Sequence, residues 1–159
     1  MEEFKQRRVK FDEYLKKNQI KLSDGIKKFT CPCCGFPTLN ERGGYEICVL
    51  CKWEDDYQDD KDANEVLGGP NGKLSLTQAR KNFQKYLLCD GKESPDKDAP
   101  YKIVKNELIE LFYELLDNKY SSKQIIKKID NCFKNHYSIL KKEIKKYEES
   151  LKNTSRPQH

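Results

Sequence analysis

The chain contains Cys31-Pro-Cys-Cys-Gly35 and Cys48-Val-Leu-Cys51, two C-x-x-C units separated by the thirteen residues 35–47. Two residues between a pair of cysteines allow a tight turn to point both sulfurs at one metal ion. Pro32 presets such a turn, and Gly35 supplies the left-handed conformation often needed after the second sulfur. The sequence therefore predicts a tetrahedral four-cysteine site with one zinc ion per chain, built from Cys31, Cys34, Cys48 and Cys51.

The identity of the metal and the roles of the other three cysteines leave further interpretations open. Iron in a rubredoxin-like site would use the same four ligands, although we expect zinc. Cys33 is an alternative ligand, and with its neighbours it is the candidate for a redox-active dithiol, but no thioredoxin-like βαβ pattern surrounds it. Cys89 and Cys132 lie on or near apolar helical faces, where we expect them to be small buried hydrophobic side chains.

The composition indicates a protein with a limited hydrophobic core. The chain has 159 residues, of which 36% are hydrophobic and 36% charged, whereas about 45–50% hydrophobic is usual. It has no apolar run of the ~18 residues that a membrane span needs, and residues 1–4 do not resemble a secretory signal. We therefore expect a cytoplasmic protein without a membrane partner, in which an odd number of cysteines favours metal binding over disulfides.

Periodicity and turn residues predict an α+β organisation. An N-terminal helical extension, residues 1–28, has Phe4, Phe11, Tyr14 and Leu15 on one face of its predicted helix. It precedes a cysteine-rich zinc-ribbon domain, residues 29–90, with a short antiparallel sheet. In this ribbon, residues 45–49 are expected to be strand-like, and residues 41–44 to be the tip of a hairpin between two short strands. Ser75 and Gln78 form a capping box that predicts a helix from there to about residue 89.

The C-terminal part is predicted to be helical. Residues 91–100 contain two prolines among charges and are expected to be a linker. Apolar residues at helical spacing then predict a helical hairpin over residues 101–152. Residues 153–159 are expected to be a disordered tail.

Acidic residues are concentrated in the middle of the chain. Residues 31–72 carry three Lys/Arg against nine Asp/Glu, a net charge of −6, whereas the whole chain has +5. An alternating Asp60, Asp62 and Asn64 resembles the start of a calcium loop, but Glu65 replaces the glycine that such loops need. The loop 54–65 thus offers an alternative function, a metal-assisted hydrolase that uses Asp55, Asp56, Asp59 and Asp60.

Lysines are concentrated in the last predicted helix. They suggest a second alternative, nucleic-acid binding through phosphate contacts, although glutamates are interspersed and a solvated helix face explains them as well. The lysines concerned are Lys127, Lys128, Lys141, Lys142, Lys145 and Lys146.

The residues from about 29 to 88 resemble the cysteine-rich CPCC domain of small bacterial and phage-type proteins. The resemblance is carried, in order, by Cys31-Pro-Cys-Cys-Gly35, Gly44-Tyr-Glu-Ile-Cys48, Trp53-Glu-Asp-Asp56, Gly68-Gly-Pro-Asn-Gly72 and Leu74-Ser-Leu-Thr77. Val49 stands where the family usually has proline, and Lys52 where it favours an aromatic residue. The resemblance implies a metal-binding module. We expect a zinc-binding, non-enzymatic protein-interaction module with Trp53 as a lid on the zinc site.

Overall fold

The computed structural model describes residues 2–18, 20–92, 100–117 and 122–154, and within this part the chain forms four α-helices and two short strands. The prediction of an α+β protein with an N-terminal helix and C-terminal helices is confirmed. The predicted linker 91–100 and tail 153–159 lie largely outside the described residues. In chain order the elements are α1 (Glu2–Lys17), β1 (Phe29–Thr30), β2 (Pro37–Leu39), α2 (Leu76–Tyr86), α3 (Pro100–Asp117) and α4 (Ser122–Thr154).

The strands differ from the predicted hairpin around residues 41–44. β1 and β2 pair antiparallel, with Phe29 opposite Leu39, so the sheet encloses the first C-x-x-C unit. Residues 45–49 form no strand; Ile47 makes one isolated antiparallel bridge with Glu54, on either side of the second unit. The segments before and after each C-x-x-C turn pair with each other. The predicted hairpin would instead have paired the segments before and after residues 41–44.

Phe36 lies at the centre of the core. Its ring stacks on Phe112 of α3, with ring centroids 5.7 Å apart, and contacts Phe11 of α1 at 5.5 Å. Phe83 of α2 approaches it edge-on at 6.4 Å. Three helices thus pack around one residue beside the first C-x-x-C turn, because each helix presents an apolar stripe to it.

The buried face of α1 and the start of α2 agree with the sequence prediction. Phe4, Phe11, Tyr14 and Leu15 are buried on α1 as their spacing predicted. Ser75 caps α2 by accepting a hydrogen bond from the backbone N–H of Gln78. However, α2 ends at Tyr86, before the predicted end, because Leu87 adopts the left-handed conformation with φ 57° and its N–H bonds to the Phe83 carbonyl.

α3 and α4 pack against each other through buried apolar side chains. Leu108, Phe112 and Leu115 of α3 and Ile125 and Ile129 of α4 are almost completely buried. α4 has 33 residues and α3 has 18, so α4 extends well beyond its partner. None of the helices in the described ranges is long and apolar enough to cross a membrane.

Candidate metal centre

The four predicted ligands come together in the fully buried interior of the ribbon. Their sulfurs all lie within 4.8 Å of one another. The Cys31 and Cys51 sulfurs are 3.6 Å apart, and those of Cys34 and Cys48 are 3.7 Å apart. A tetrahedral site with Zn–S bonds of about 2.3 Å requires sulfur–sulfur distances of about 3.8 Å, whereas a disulfide requires about 2.05 Å. The cluster therefore has the dimensions of a site that could bind a metal ion.

The two C-x-x-C turns have the same backbone geometry. In the first, Gly35 N–H donates to the Cys31 carbonyl and Cys31 N–H to the Phe36 carbonyl, both at 2.9 Å. In the second, the Lys52 N–H donates to the Cys48 carbonyl and the Cys48 N–H donates to the Trp53 carbonyl, again both at 2.9 Å. Gly35 has φ 76° and Lys52 has φ 66°, so both turns close through a left-handed residue. Only the first turn uses glycine there, and the second holds a lysine in a conformation costly to L-residues.

Two arginines hold the first turn against the helices. Arg7 of α1 donates from Nε to the Cys34 carbonyl at 2.7 Å. Arg80 of α2 donates from Nε to the Pro32 carbonyl at 2.9 Å. Both side chains are buried, and Arg7 also lies over the Phe36 ring, 4.9 Å from its centroid. Sequence reasoning missed both residues, because a charged residue in an amphipathic helix is normally assigned to the solvent face.

Cys48 receives most of the hydrogen bonding in the cluster. Burial opposes ionisation of its thiol, but hydrogen bonds from the other three thiols and from the Cys51 N–H lower its pKa well below the ordinary value. The Thr38 hydroxyl lies 3.0 Å from the Cys48 sulfur, where it can donate a hydrogen bond once the thiol is ionised. Burial raises the pKa of Cys31, Cys34 and Cys51. Because ligating sulfurs must be deprotonated, a metal ion that binds here would release protons, and its binding would depend on pH.

The remaining cysteines lie outside the four-sulfur cluster. Cys33 is fully buried but is not one of the four clustered cysteines. Cys34 occupies that place, as the spacing predicted. Cys89 is buried and its N–H donates to the Cys51 carbonyl at 2.8 Å. Burial raises the pKa of Cys89 to about 12 and that of Cys132 to about 11. Both positions are buried, as expected for small hydrophobic side chains, and Trp53 is completely buried beside the cluster.

Basic side chains from distant parts of the chain border the cluster. Lys105 of α3 is buried and donates to the Leu87 carbonyl; burial lowers its pKa to about 8, and negative charge on the Cys51 and Cys48 sulfurs would oppose that shift. Lys52 Nζ lies 3.3 Å from His136 Nε2 on α4. A Zn²⁺ ion with four thiolates carries a formal charge of −2, which these lysines would partly compensate. No pattern in the sequence indicates this arrangement, because more than fifty residues separate Lys52 from Lys105.

The acidic loop is bound to arginines. Asp55 is fully buried; its Oδ2 accepts from Arg42 Nε and from the Gly43 N–H, both at 2.8 Å. Asp59 accepts two hydrogen bonds from Arg8, at 2.5 and 2.8 Å, and one from Arg42 at 2.9 Å. Burial alone would raise the pKa of Asp59, but these guanidinium contacts hold it well below its usual range. The loop therefore joins α1 to the ribbon by ion pairs.

The other predicted catalytic or cation-binding side chains are also engaged. Asp60 pairs with Arg80 at 2.6 Å, and Asp56 accepts from Asn71 at 3.1 Å. Asp62 accepts from the Asp59 N–H at 2.7 Å, and Asn64 accepts from the Thr77 hydroxyl at 2.7 Å. Within the described residues, the loop 54–65 does not bring three carboxylates together in a metal-ligating arrangement.

The lysines of the predicted basic helix all lie exposed on α4. The positions concerned are Lys127, Lys128, Lys141, Lys142, Lys145 and Lys146. They are distributed around α4 on both sides of its apolar stripe, so they do not form a single basic face that would favour nucleic-acid binding over solvation.

Comparison with known families identifies the cysteine-rich part of the chain. Residues 29–102 match the family model described as Cysteine-rich CPCC, so the resemblance seen in the sequence is confirmed. The matched range continues past residue 90, the predicted end of this domain, into the first residues of α3. No curated protein and no solved structure matches the chain.

Proposed function

We propose that this chain, whose residues 29–102 match the cysteine-rich CPCC family, uses Cys31, Cys34, Cys48 and Cys51 to bind one structural zinc ion. The observation that carries the proposal is the four-sulfur cluster with tetrahedral dimensions. Structural zinc sites take four protein ligands, whereas catalytic sites keep a position open for water or substrate. All four cysteines here are completely buried, which supports a structural ion.

The surroundings of the cluster favour a non-enzymatic role. Three of the four carboxylates that could have served a hydrolase, Asp55, Asp59 and Asp60, are bound to arginines, and Asp56 accepts a hydrogen bond from Asn71. None of the seven cysteines forms a disulfide, which is consistent with a reducing compartment, and we expect the protein to act in the cytoplasm. The ion would then stabilise the fold and shape a surface for another protein.

The surface that we assign to a protein partner lies beside the second C-x-x-C turn. Tyr45, Ile47 and Tyr57 each expose more than half of their area there, and we call them the ribbon patch. The Tyr57 ring lies over Gly43, where an added Cβ would be 2.5 Å from its Cδ2 atom, so Tyr57 and Tyr45 flank the same turn. Exposed aromatic residues near one another are typical of protein-binding sites.

Metal content of the purified full chain tests the zinc site. We expect one zinc per chain, lost in Cys48→Ser and retained in Cys132→Ser, a matched change at a buried cysteine outside the cluster. Less than half an equivalent of metal after purification without chelators would contradict the site. One equivalent of iron, with the visible absorption of a ferric thiolate, would retain the site and refute zinc.

Affinity capture with the zinc-loaded chain tests the interaction role. We expect a protein retained by the wild-type chain to be lost with Ile47→Asp and kept with Val66→Asp, which changes an equally exposed residue in the loop before α2. Equal retention by both variants would show that the ribbon patch is not the binding surface.

A further inference from the structure

The C-terminal half of α4 carries an exposed apolar stripe. Its members are 37% to 65% exposed and recur at alternating intervals of three and four residues: Tyr137, Leu140, Ile144, Tyr147 and Leu151. This spacing is the a/d pattern of a coiled coil, with Tyr137, Ile144 and Leu151 at a and Leu140 and Tyr147 at d. We call these five residues the seam.

From Leu140 onward the seam lies beyond the length of α3. α4 has 33 residues and α3 has 18, lengths of about 50 and 27 Å at a rise of about 1.5 Å per residue. The first half of α4 packs on α3, and its side chains Ile125, Ile129 and Phe133 are buried. The helix that carries the seam is therefore already anchored, and a partner does not have to fold it.

We propose that the seam pairs with the seam of a second copy of this chain, as an antiparallel two-stranded coiled coil. In the matching register, Leu140 lies opposite Leu151 of the second copy and Ile144 opposite Tyr147 of the second copy. A two-fold axis crosses the pair near residues 145 and 146, so the two chains use the same surface. Closed two-fold dimers of this kind are the commonest oligomers.

The charges that flank the seam select this orientation. Lys141 and Glu148 occupy the two e positions, and Glu143 occupies a g position. In the antiparallel register, e positions face e positions, so Lys141 of each copy meets Glu148 of the other. In a parallel pair, g faces e of the next heptad, so Glu143 would meet Glu148 of the second copy. The charge pattern thus produces two attractive pairs in one orientation and two repulsive pairs in the other.

The expected strength follows from the length of the seam. Residues 137 to 151 span about 21 Å of helix, and such a contact is smaller than the ~800 Å² per partner of standard interfaces. Because α4 is anchored by α3, little ordering opposes association. We therefore expect a weak, reversible dimer with a dissociation constant on the order of 1–100 μM.

Sedimentation of the full zinc-loaded chain over a concentration series tests the dimer. We expect the mass to rise from monomer to dimer, and Ile144→Glu to keep the chain monomeric. Val66→Glu, the same kind of change at an exposed apolar residue outside α4, should dimerise like the wild type. A wild-type chain that stays monomeric up to about 1 mM, well above the expected range, would overturn the proposal, as would an Ile144→Glu variant that dimerises normally.

Charge reversal tests the partner and the orientation together. Lys141→Glu and Glu148→Lys should each weaken the dimer by about fivefold or more, because each creates two like-charge pairs. The double variant restores both pairs and should regain wild-type affinity. In a parallel dimer, Glu148→Lys would instead strengthen association through Glu143, and that result would overturn the antiparallel arrangement.

Discussion

The hydroxyl of Thr38 lies 3.0 Å from the sulfur of Cys48, and both side chains are buried. Thr38 belongs to β2, so the short sheet aligns a hydroxyl group with one of the four sulfurs, and this hydroxyl must be the donor when the sulfur is a thiolate. A donor to a ligating thiolate disperses its charge and fixes its direction, and groups of this kind influence metal affinity strongly. The sheet therefore contributes to the metal centre through a side chain that the cysteine spacing does not reveal.

Replacing that hydroxyl should weaken metal binding. We expect Thr38→Val to lower zinc affinity by about 10-fold or more, with the fold of the loaded protein retained because valine has nearly the same shape. Competition with a chromogenic chelator measures the change. Thr38→Ser keeps the hydroxyl and should bind like the wild type; equal weakening by serine and valine would attribute the effect to packing.

The left-handed lysine of the second turn should be a point of stored strain. Lys52 has φ 66°, and a glycine there should relieve the conformational cost. We expect Lys52→Gly to be more stable than Lys52→Ala by about 1 kcal/mol, because both variants lose the contact with His136 and only glycine tolerates this φ. Urea unfolding of the zinc-loaded variants gives the difference, and an alanine variant as stable as the glycine variant would show that the turn is unstrained.

The buried carboxylate of Asp55 should be needed for stability. Asp55→Ala removes the partner of Arg42 Nε and of the Gly43 N–H, and we expect a loss of about 3 kcal/mol in the free energy of unfolding. Glu65→Ala changes an exposed acidic residue of the same loop and should cost less than about 0.5 kcal/mol. An Asp55→Ala protein of normal stability would reopen the catalytic interpretation of the loop.

His136 should make the fold less stable in mild acid. Burial, together with nearby Lys52 and Lys105, lowers the pKa of His136 to about 4, below its ordinary value of 6.5. The unfolded chain therefore binds a proton that the folded chain does not, and stability falls as pH decreases from about 6.5 towards 4. Between pH 7.5 and 5.5 we expect the wild type to lose about 1 kcal/mol more than His136→Gln.

Denaturant unfolding at the two pH values, with zinc content measured in each sample, separates this effect from loss of the ion. Parallel pH dependence in both proteins would show that His136 is protonated in the folded state.

Local patterns in the sequence predicted a large part of this fold. The C-x-x-C spacing identified the four sulfurs that meet, the apolar stripe of α1 predicted its buried face, and Ser75 predicted the start of α2. Each of these signals lies within a few residues, so backbone geometry alone connects the pattern to the structure.

The misses concern contacts between distant residues. The predicted strand over 45–49 failed because alternating apolar residues cannot reveal which segment is their partner. Arg7 and Arg80 were missed because their carbonyl acceptors, Cys34 and Pro32, are distant in sequence. The acidic loop was open to a catalytic interpretation because its arginine partners come from α1, α2 and the ribbon.

The central position of Phe36 links metal supply to the lifetime of the protein. Phe36 follows the first C-x-x-C turn by two residues, and its ring contacts Phe11, Phe83 and Phe112. A nascent chain that fails to acquire an ion could not hold that ring in place, so three helices would lose their common contact. We therefore expect cellular proteases to remove metal-poor molecules selectively, so that abundance follows the metal available to the cell.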